Sequence, residues 1–154
     1  MDGGETASQV FRPELFFIGR TRGWGVVRSI DGKQRRCSVV TEGRVAEAYN
    51  SLHFDETFTF EDGKVEEWRW AMTRGRDGRY VAAEALAGAG IVGRMDKGDY
   101  VLTFRRPLRP EGGFPCPRYH TRFTQVTPQL ALKSVRVSML GLPVGTLTAF
   151  HERV

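Results

Sequence analysis

At 154 residues, with 40% hydrophobic and 27% charged side chains, the chain is long enough to bury a core of its own without disulfide staples. It holds no apolar run near the ~20 residues a membrane helix needs, and its start, Met1-Asp2-Gly3-Gly4-Glu5-Thr6-Ala7-Ser8-Gln9, has no basic, apolar or cysteine-bearing leader, so we expect a cytoplasmic protein. The net charge of +5 rests on 19 Arg and 4 Lys, scattered among acids rather than gathered in a block, which argues against a nucleic-acid footprint. Cys37 and Cys116 are expected as reduced thiols.

Residues 1–13 read as a flexible segment and 14–154 as one domain. The run Phe16-Phe17 leads into a β-rich stretch around Gly23-Trp24-Gly25-Val26-Val27. Asp31-Gly32, Asp62-Gly63 and Asp77-Gly78 then punctuate runs rich in Val, Phe, Trp and Tyr, and Asp-Gly supplies the positive φ of tight hairpin turns. Hairpins at this spacing predict an antiparallel up-and-down barrel of about eight to ten strands with little helix.

Alternation assigns faces. Phe54, Glu56, Phe58 and Phe60 share one side of a strand; Trp68, Trp70 and Met72 share one side of the next. Val81–Ala87 contains helix formers, yet Gly88, Gly90 and Gly93 follow at once, so two strands with a glycine-bent connection are expected. Tyr100, Leu102 and Phe104 alternate on a further strand. Three prolines make 109–117 a long loop at one mouth of the barrel. Tyr119, Thr121, Phe123 and Gln125 then alternate, and Val144–Phe150 reads as the closing strand. Leu130 and Leu132 are out of phase with Val135, Val137 and Met139, which predicts a bulge near Lys133-Ser134.

No sequence motif for phosphate, dinucleotide or nucleophile-elbow chemistry is present, and Cys37, Cys116, His53, His120 and His151 lie too far apart to read as a metal set. The arrangement that stands out is a carboxylate on an aromatic face. If that face is interior, burying Glu56 unpaired costs several kcal/mol, so a cation, a donor, water or a ligand must satisfy it. Glu84, in phase with Tyr80 and Ala82, is a second candidate for the interior. The alternatives are an outward-facing phenylalanine row or a structural bridge at the rim.

The segments Phe16-Phe17-x-Gly19-x-x-x-Gly23-Trp24-Gly25, Asp31-Gly32-Lys33, Asp55-Glu56-x-Phe58-x-Phe60-x-Asp62-Gly63, Arg69-Trp70 and Gly78-Arg79-Tyr80, with Gly141-x-x-x-Gly145 and Phe150, resemble a bacterial family of uncharacterised lipocalin-like (calycin-type) proteins often described as lipoproteins. The chain departs from that family in lacking a lipoprotein signal and in carrying Thr121-Arg122-Phe123-Thr124 where typical members have Asp-Asp-Trp-Met. The resemblance implies a barrel and a small apolar ligand, with no established activity. Gly23-Trp24-Gly25 also resembles the Gly-x-Trp strand of lipocalins, which implies that Trp24 plugs the closed end.

The leading reading is therefore a barrel that binds a small, largely apolar ligand with Glu56, Phe58, Trp68, Trp70, Tyr80, Glu84, Tyr100, Phe104 and Phe123. The second is an isomerase- or hydrolase-type enzyme using Glu56 or Glu84 as acid or base on a hydrophobic substrate. An anionic or nucleic-acid partner for the arginine surface is the third. The residues point to no cofactor and no oligomeric state.

Overall fold

The computed structural model describes residues 9–46 and 51–154. One short helix, α1 (Pro13–Phe16), is followed by ten strands: β1 Gly19–Ser29, β2 Gln34–Ala46, β3 Ser51–Phe60, β4 Val65–Arg74, β5 Tyr80–Glu84, β6 Gly88–Asp96, β7 Asp99–Arg105, β8 Arg118–Thr127, β9 Leu130–Met139 and β10 Leu142–Arg153. Each pairs antiparallel with its chain neighbour, and β10 returns to pair with β1, so the sheet closes into a lipocalin-like barrel. Among the described residues no helix is long and apolar enough to cross a membrane.

The Asp-Gly hairpins form for a local reason. Asp31, Asp62 and Asp77 each accept, through the side-chain carboxylate, the amide two residues on, at 3.1, 3.1 and 3.0 Å. The following glycine takes a φ between +80° and +86°. The 81–88 stretch is two strands, β5 and β6, joined by the expected bend.

Alternation places Phe54, Glu56, Phe58 and Phe60 inside, opposite Trp68, Trp70 and Met72, with Tyr100, Leu102, Phe104 and Phe123 completing the wall. One end is packed shut by aromatic rings. Phe11, Phe16 and Phe17 are buried there; Phe17 stacks on Phe54 at 4.3 Å and Phe11 on Phe123 at 5.0 Å between centroids. Phe11 lies in the segment expected to be flexible, but its ring is in the core and its amide donates to the Gly98 carbonyl. Residues 1–8 of that segment lie outside the described residues.

Two expectations are corrected. Trp24 does not plug the barrel: it points outward, 57% exposed, and its flanking glycines face in. A Cβ on Gly23 would lie 1.8 Å from the Phe150 carbonyl oxygen, and one on Gly43 would lie 1.9 Å from that of Phe17. The glycines thus serve close backbone approach, and the Phe11–Phe16–Phe17 trio makes the plug. Nor is there a bulge at Lys133-Ser134. Strand β9 alternates regularly, with Ala131, Lys133 and Val135 buried on the interior face. The register shift on this hairpin falls at Gln125/Thr127, across the turn, so the sequence phase that looked broken has a lysine pointing inward.

Candidate functional site

The interior divides into a packed half, next to the plug, and an open half. At the boundary Glu56 from β3 meets Lys133 from β9, Oε2 to Nζ 2.9 Å, both buried. The other carboxylate oxygen accepts Trp70 Nε1–H at 2.9 Å. The Lys133 ammonium lies 5.3, 5.4 and 6.0 Å from the ring centroids of Phe58, Phe123 and Trp68. Glu56 is thus satisfied by one cation and one indole donor.

Above this pair is a cavity of about 270 Å³ that reaches the open end. Phe58, Trp68, Phe104, Thr121, Val135 and Leu147 form its walls, Lys133 lies at its floor, and Arg35 and Glu66 stand at its mouth. Arg35 sits 4.0 Å over the Phe60 ring and pairs with Asp62 at 3.0 Å, which holds the guanidinium at the rim.

A second buried pair braces the wall. Arg106, at the start of the long loop, donates from Nε to Glu84 Oε1 at 2.7 Å and from Nη2 to the Glu67 carbonyl at 2.9 Å, while its guanidinium covers the Trp68 ring at 3.8 Å. Trp68 Nε1–H donates to Glu66 Oε1 at 2.8 Å, so the indole is fixed from both sides. Burial alone would raise the Glu84 pKa, but the hydrogen bond from Arg106 and the amides of Leu86 and Ala87 outweigh it and hold the carboxyl below its ordinary value. Tyr119 stacks on Phe104 at 5.5 Å and stands edge-on to Trp68 at 5.2 Å; burial, with the nearby Glu66 charge, pushes its phenol up to about 12.

Of the residues singled out from the sequence, Phe58, Trp68 and Phe104 line the cavity. Glu56 lies just beneath it, reached through Lys133, and Glu84 lies behind Trp68. Trp70, Tyr80, Tyr100 and Phe123 belong to the packed half: Tyr80 donates to Glu14 at 2.7 Å, Tyr100 contacts Met72 Sδ at 3.5 Å, and Phe123 stacks against the plug. The sequence reading missed Lys133 and Arg106. The Ala131-Lys133-Val135-Val137 phase pointed to the first; a buried arginine in a proline-rich loop carries no periodic signal. Among the described residues no three His, Cys, Asp or Glu side chains gather as metal ligands.

A family model described as a protein of unknown function, DUF3833, matches residues 2–153. The chain belongs to this family. A search of curated proteins finds no match. Among solved structures, an S-type phycobiliprotein lyase from Guillardia theta is similar at 13% identity with a TM-score of 0.66, over 89% of this chain and 88% of that one. A protein of unknown function from Nostoc punctiforme, of the DUF3598 family, is similar at 14% identity and a TM-score of 0.66; the DUF3833 chain is covered in full but spans only 54% of that protein. EF1p2_mFAP2b bound to DFHBI is similar at 11% identity with a TM-score of 0.52, over 90% of this chain and 94% of that one. At these identities the likeness is one of fold.

Proposed function

We propose that this DUF3833 protein is a binding protein whose barrel, acting as one domain over residues 14–154, encloses a small, largely apolar ligand in the cavity above Lys133. The observation that carries this reading is the cavity itself: about 270 Å³, walled by Phe58, Trp68, Phe104 and aliphatic side chains, open at one end, with a single buried ammonium at its floor. Ligand sites of this kind combine apolar walls with a few orienting polar groups, and the volume lies just below their usual range of about 300–1,000 Å³, which suits a ligand smaller than a typical drug. Such a ligand lays an apolar body against the wall and turns a polar or anionic group toward Lys133, on the face of the ammonium that Glu56 leaves free. EF1p2_mFAP2b, of similar fold, is bound to DFHBI, which supports the reading at the level of what such a fold can accommodate.

The enzymatic alternative with Glu56 or Glu84 as acid or base gains no support, since Glu56 is paired with Lys133 and the Trp70 indole, Glu84 with Arg106 and backbone amides, and neither lines the cavity. The setting we propose is cytoplasmic, in keeping with the two free cysteines, Cys37 and Cys116.

Native mass spectrometry against the denatured mass of the purified protein tests the proposal: a small molecule retained by the native barrel and released on unfolding is the expected result. The variant Val137→Trp, which fills the cavity from β9, should fold and lose that molecule. A barrel that retains nothing, and whose Trp68 emission responds to none of a panel of one- and two-ring aromatic acids, overturns the reading.

A further inference from the structure

The two ends of the barrel differ in their turns. At the plugged end the β4–β5 turn is Gly75-Arg76-Asp77-Gly78-Arg79 and the β6–β7 turn is Lys97-Gly98, polar throughout. At the open end the turns carry bare apolar side chains: Ile30, Phe114, Leu140 and Leu142 are 73, 75, 88 and 68% exposed, with Leu108 and Val65 beside them. The plugged end also exposes Val10, Leu15, Ile18, Val126 and Val154, but none of these sits in a hairpin turn; at the open end the exposed apolar residues lie on the turn tips and the long loop, around the mouth of the cavity.

Leu140 makes the point sharply. It occupies a two-residue hairpin turn with Gly141 and takes a φ of +52°. Left-handed backbone of this kind is strained for a branched L residue, and Asn, Asp or Gly is the usual occupant. The position thus bears a conformational cost and exposes an isobutyl group to water at once, a combination that folding does not ask for.

Charge is divided in the same way. Segments 28–36, 61–66, 85–88, 105–118 and 136–145, which form the open end, hold nine solvent-facing Lys and Arg against five Asp and Glu, Arg106 being buried in its pair with Glu84. With that pair neutral, the open end carries four of the chain's five net positive charges.

We infer that the open end docks on an anionic phospholipid bilayer, with the apolar turn tips in the headgroup–acyl boundary and the surrounding arginines and lysines against the lipid phosphates. Apolar tips spaced around a circumference suit a deformable surface better than a flat protein patch, and basic residues near an anionic leaflet add attraction at each position. Docked in this way, the mouth of the cavity opens toward the membrane. The inference goes beyond the ligand reading and does not require it.

The test is sedimentation of the whole protein with vesicles of phosphatidylcholine alone and of phosphatidylcholine mixed with phosphatidylglycerol. We expect binding to the mixed vesicles, about tenfold or more tighter than to phosphatidylcholine alone and weakened by salt. The variant Leu140→Asn/Leu142→Ser/Phe114→Ser should lose about tenfold or more of that binding. Leu140→Asn alone, which puts a favoured residue at the positive φ, should weaken binding with thermal stability kept or raised, so the result does not hang on a variant that unfolds. Absence of binding to the mixed vesicles, or binding that these variants leave unchanged, overturns the inference. So does a concentration-dependent dimer in sedimentation velocity that the triple variant abolishes, since the rim would then belong to a second copy of the chain.

Discussion

The Lys133–Glu56 pair offers the most demanding test of the interior. Replacing Lys133 with Met keeps the length of the side chain and removes the charge, leaving Glu56, 1% exposed, with only Trp70 Nε1–H as a partner. Breaking one partner of a buried pair costs about 3–5 kcal/mol, a large part of the ~5–15 kcal/mol that holds a domain folded. For a chain of this size each kcal/mol moves Tm by roughly 2–4 °C, so a fall of about 6–20 °C is expected. Glu56→Gln, which leaves the ammonium buried and unpaired, should cost a comparable amount. The double variant Glu56→Gln/Lys133→Met should cost less than either single change, about 1–3 kcal/mol, because the amide oxygen still accepts Trp70 Nε1–H and no charge remains inside. Urea unfolding of the four proteins completes the cycle. If Lys133→Met costs under ~1 kcal/mol, or the two costs simply add, the two groups are not coupled and the account of the cavity floor is wrong.

His151, fully buried between Phe17 and Phe123 and with no hydrogen-bond partner on either ring nitrogen among the described residues, has its pKa lowered to about 4 chiefly by burial. The unfolded chain, with histidine near 6.5, takes the proton first, so this contribution is intact above pH ~6.5 and is lost as pH falls toward ~4. About 2 kcal/mol should be gone by pH 5, and His151→Leu should flatten the profile of urea midpoints between pH 7 and 5. Trp24→Phe should shift the remaining emission to the blue with stability unchanged, whereas Trp70→Ala should cost ~3–5 kcal/mol; equal effects at the two sites would contradict their burial. Leu140→Asn should stabilise the β9–β10 hairpin by about 1 kcal/mol in thermal unfolding, and a loss would show that the turn is held by the leucine itself.

Much of the barrel was legible because hairpin turns and alternation are local properties. Asp31, Asp62 and Asp77 build their turns from their own carboxylates, and the phase of Phe54–Phe60 with Trp68–Met72 follows from the pleat. What alternation leaves open is which phase faces in when a strand carries leucines on one side and a lysine on the other. On β9 the ring of neighbours decides it: Glu56, across the barrel, needs Lys133 inside, and Leu132 is left half-buried outside. Trp24 misleads for a related reason. Its flanking glycines, Gly23 and Gly25, are required by the close approach of β10, a contact distant in sequence, so the interior position goes to the residues with no side chain. The cavity was half legible: its aromatic wall follows from strand phase, while Arg106 is buried because Glu84 and Trp68 flank it, a juxtaposition only the closed sheet creates.

Closure also orders events in time. Strand β1 is hydrogen-bonded on one side to β2, about fifteen residues on, and on the other to β10, so that Thr21 lies opposite Arg153. Until the last strand emerges, one side of β1 offers a free row of amides and carbonyls, the kind of edge that recruits stray chains. The nine other ladders join neighbours in sequence and form early; the seam spans nearly the whole polypeptide and bears the largest loop-closure cost. The barrel is thus most exposed to misassembly in the interval just before β10 docks.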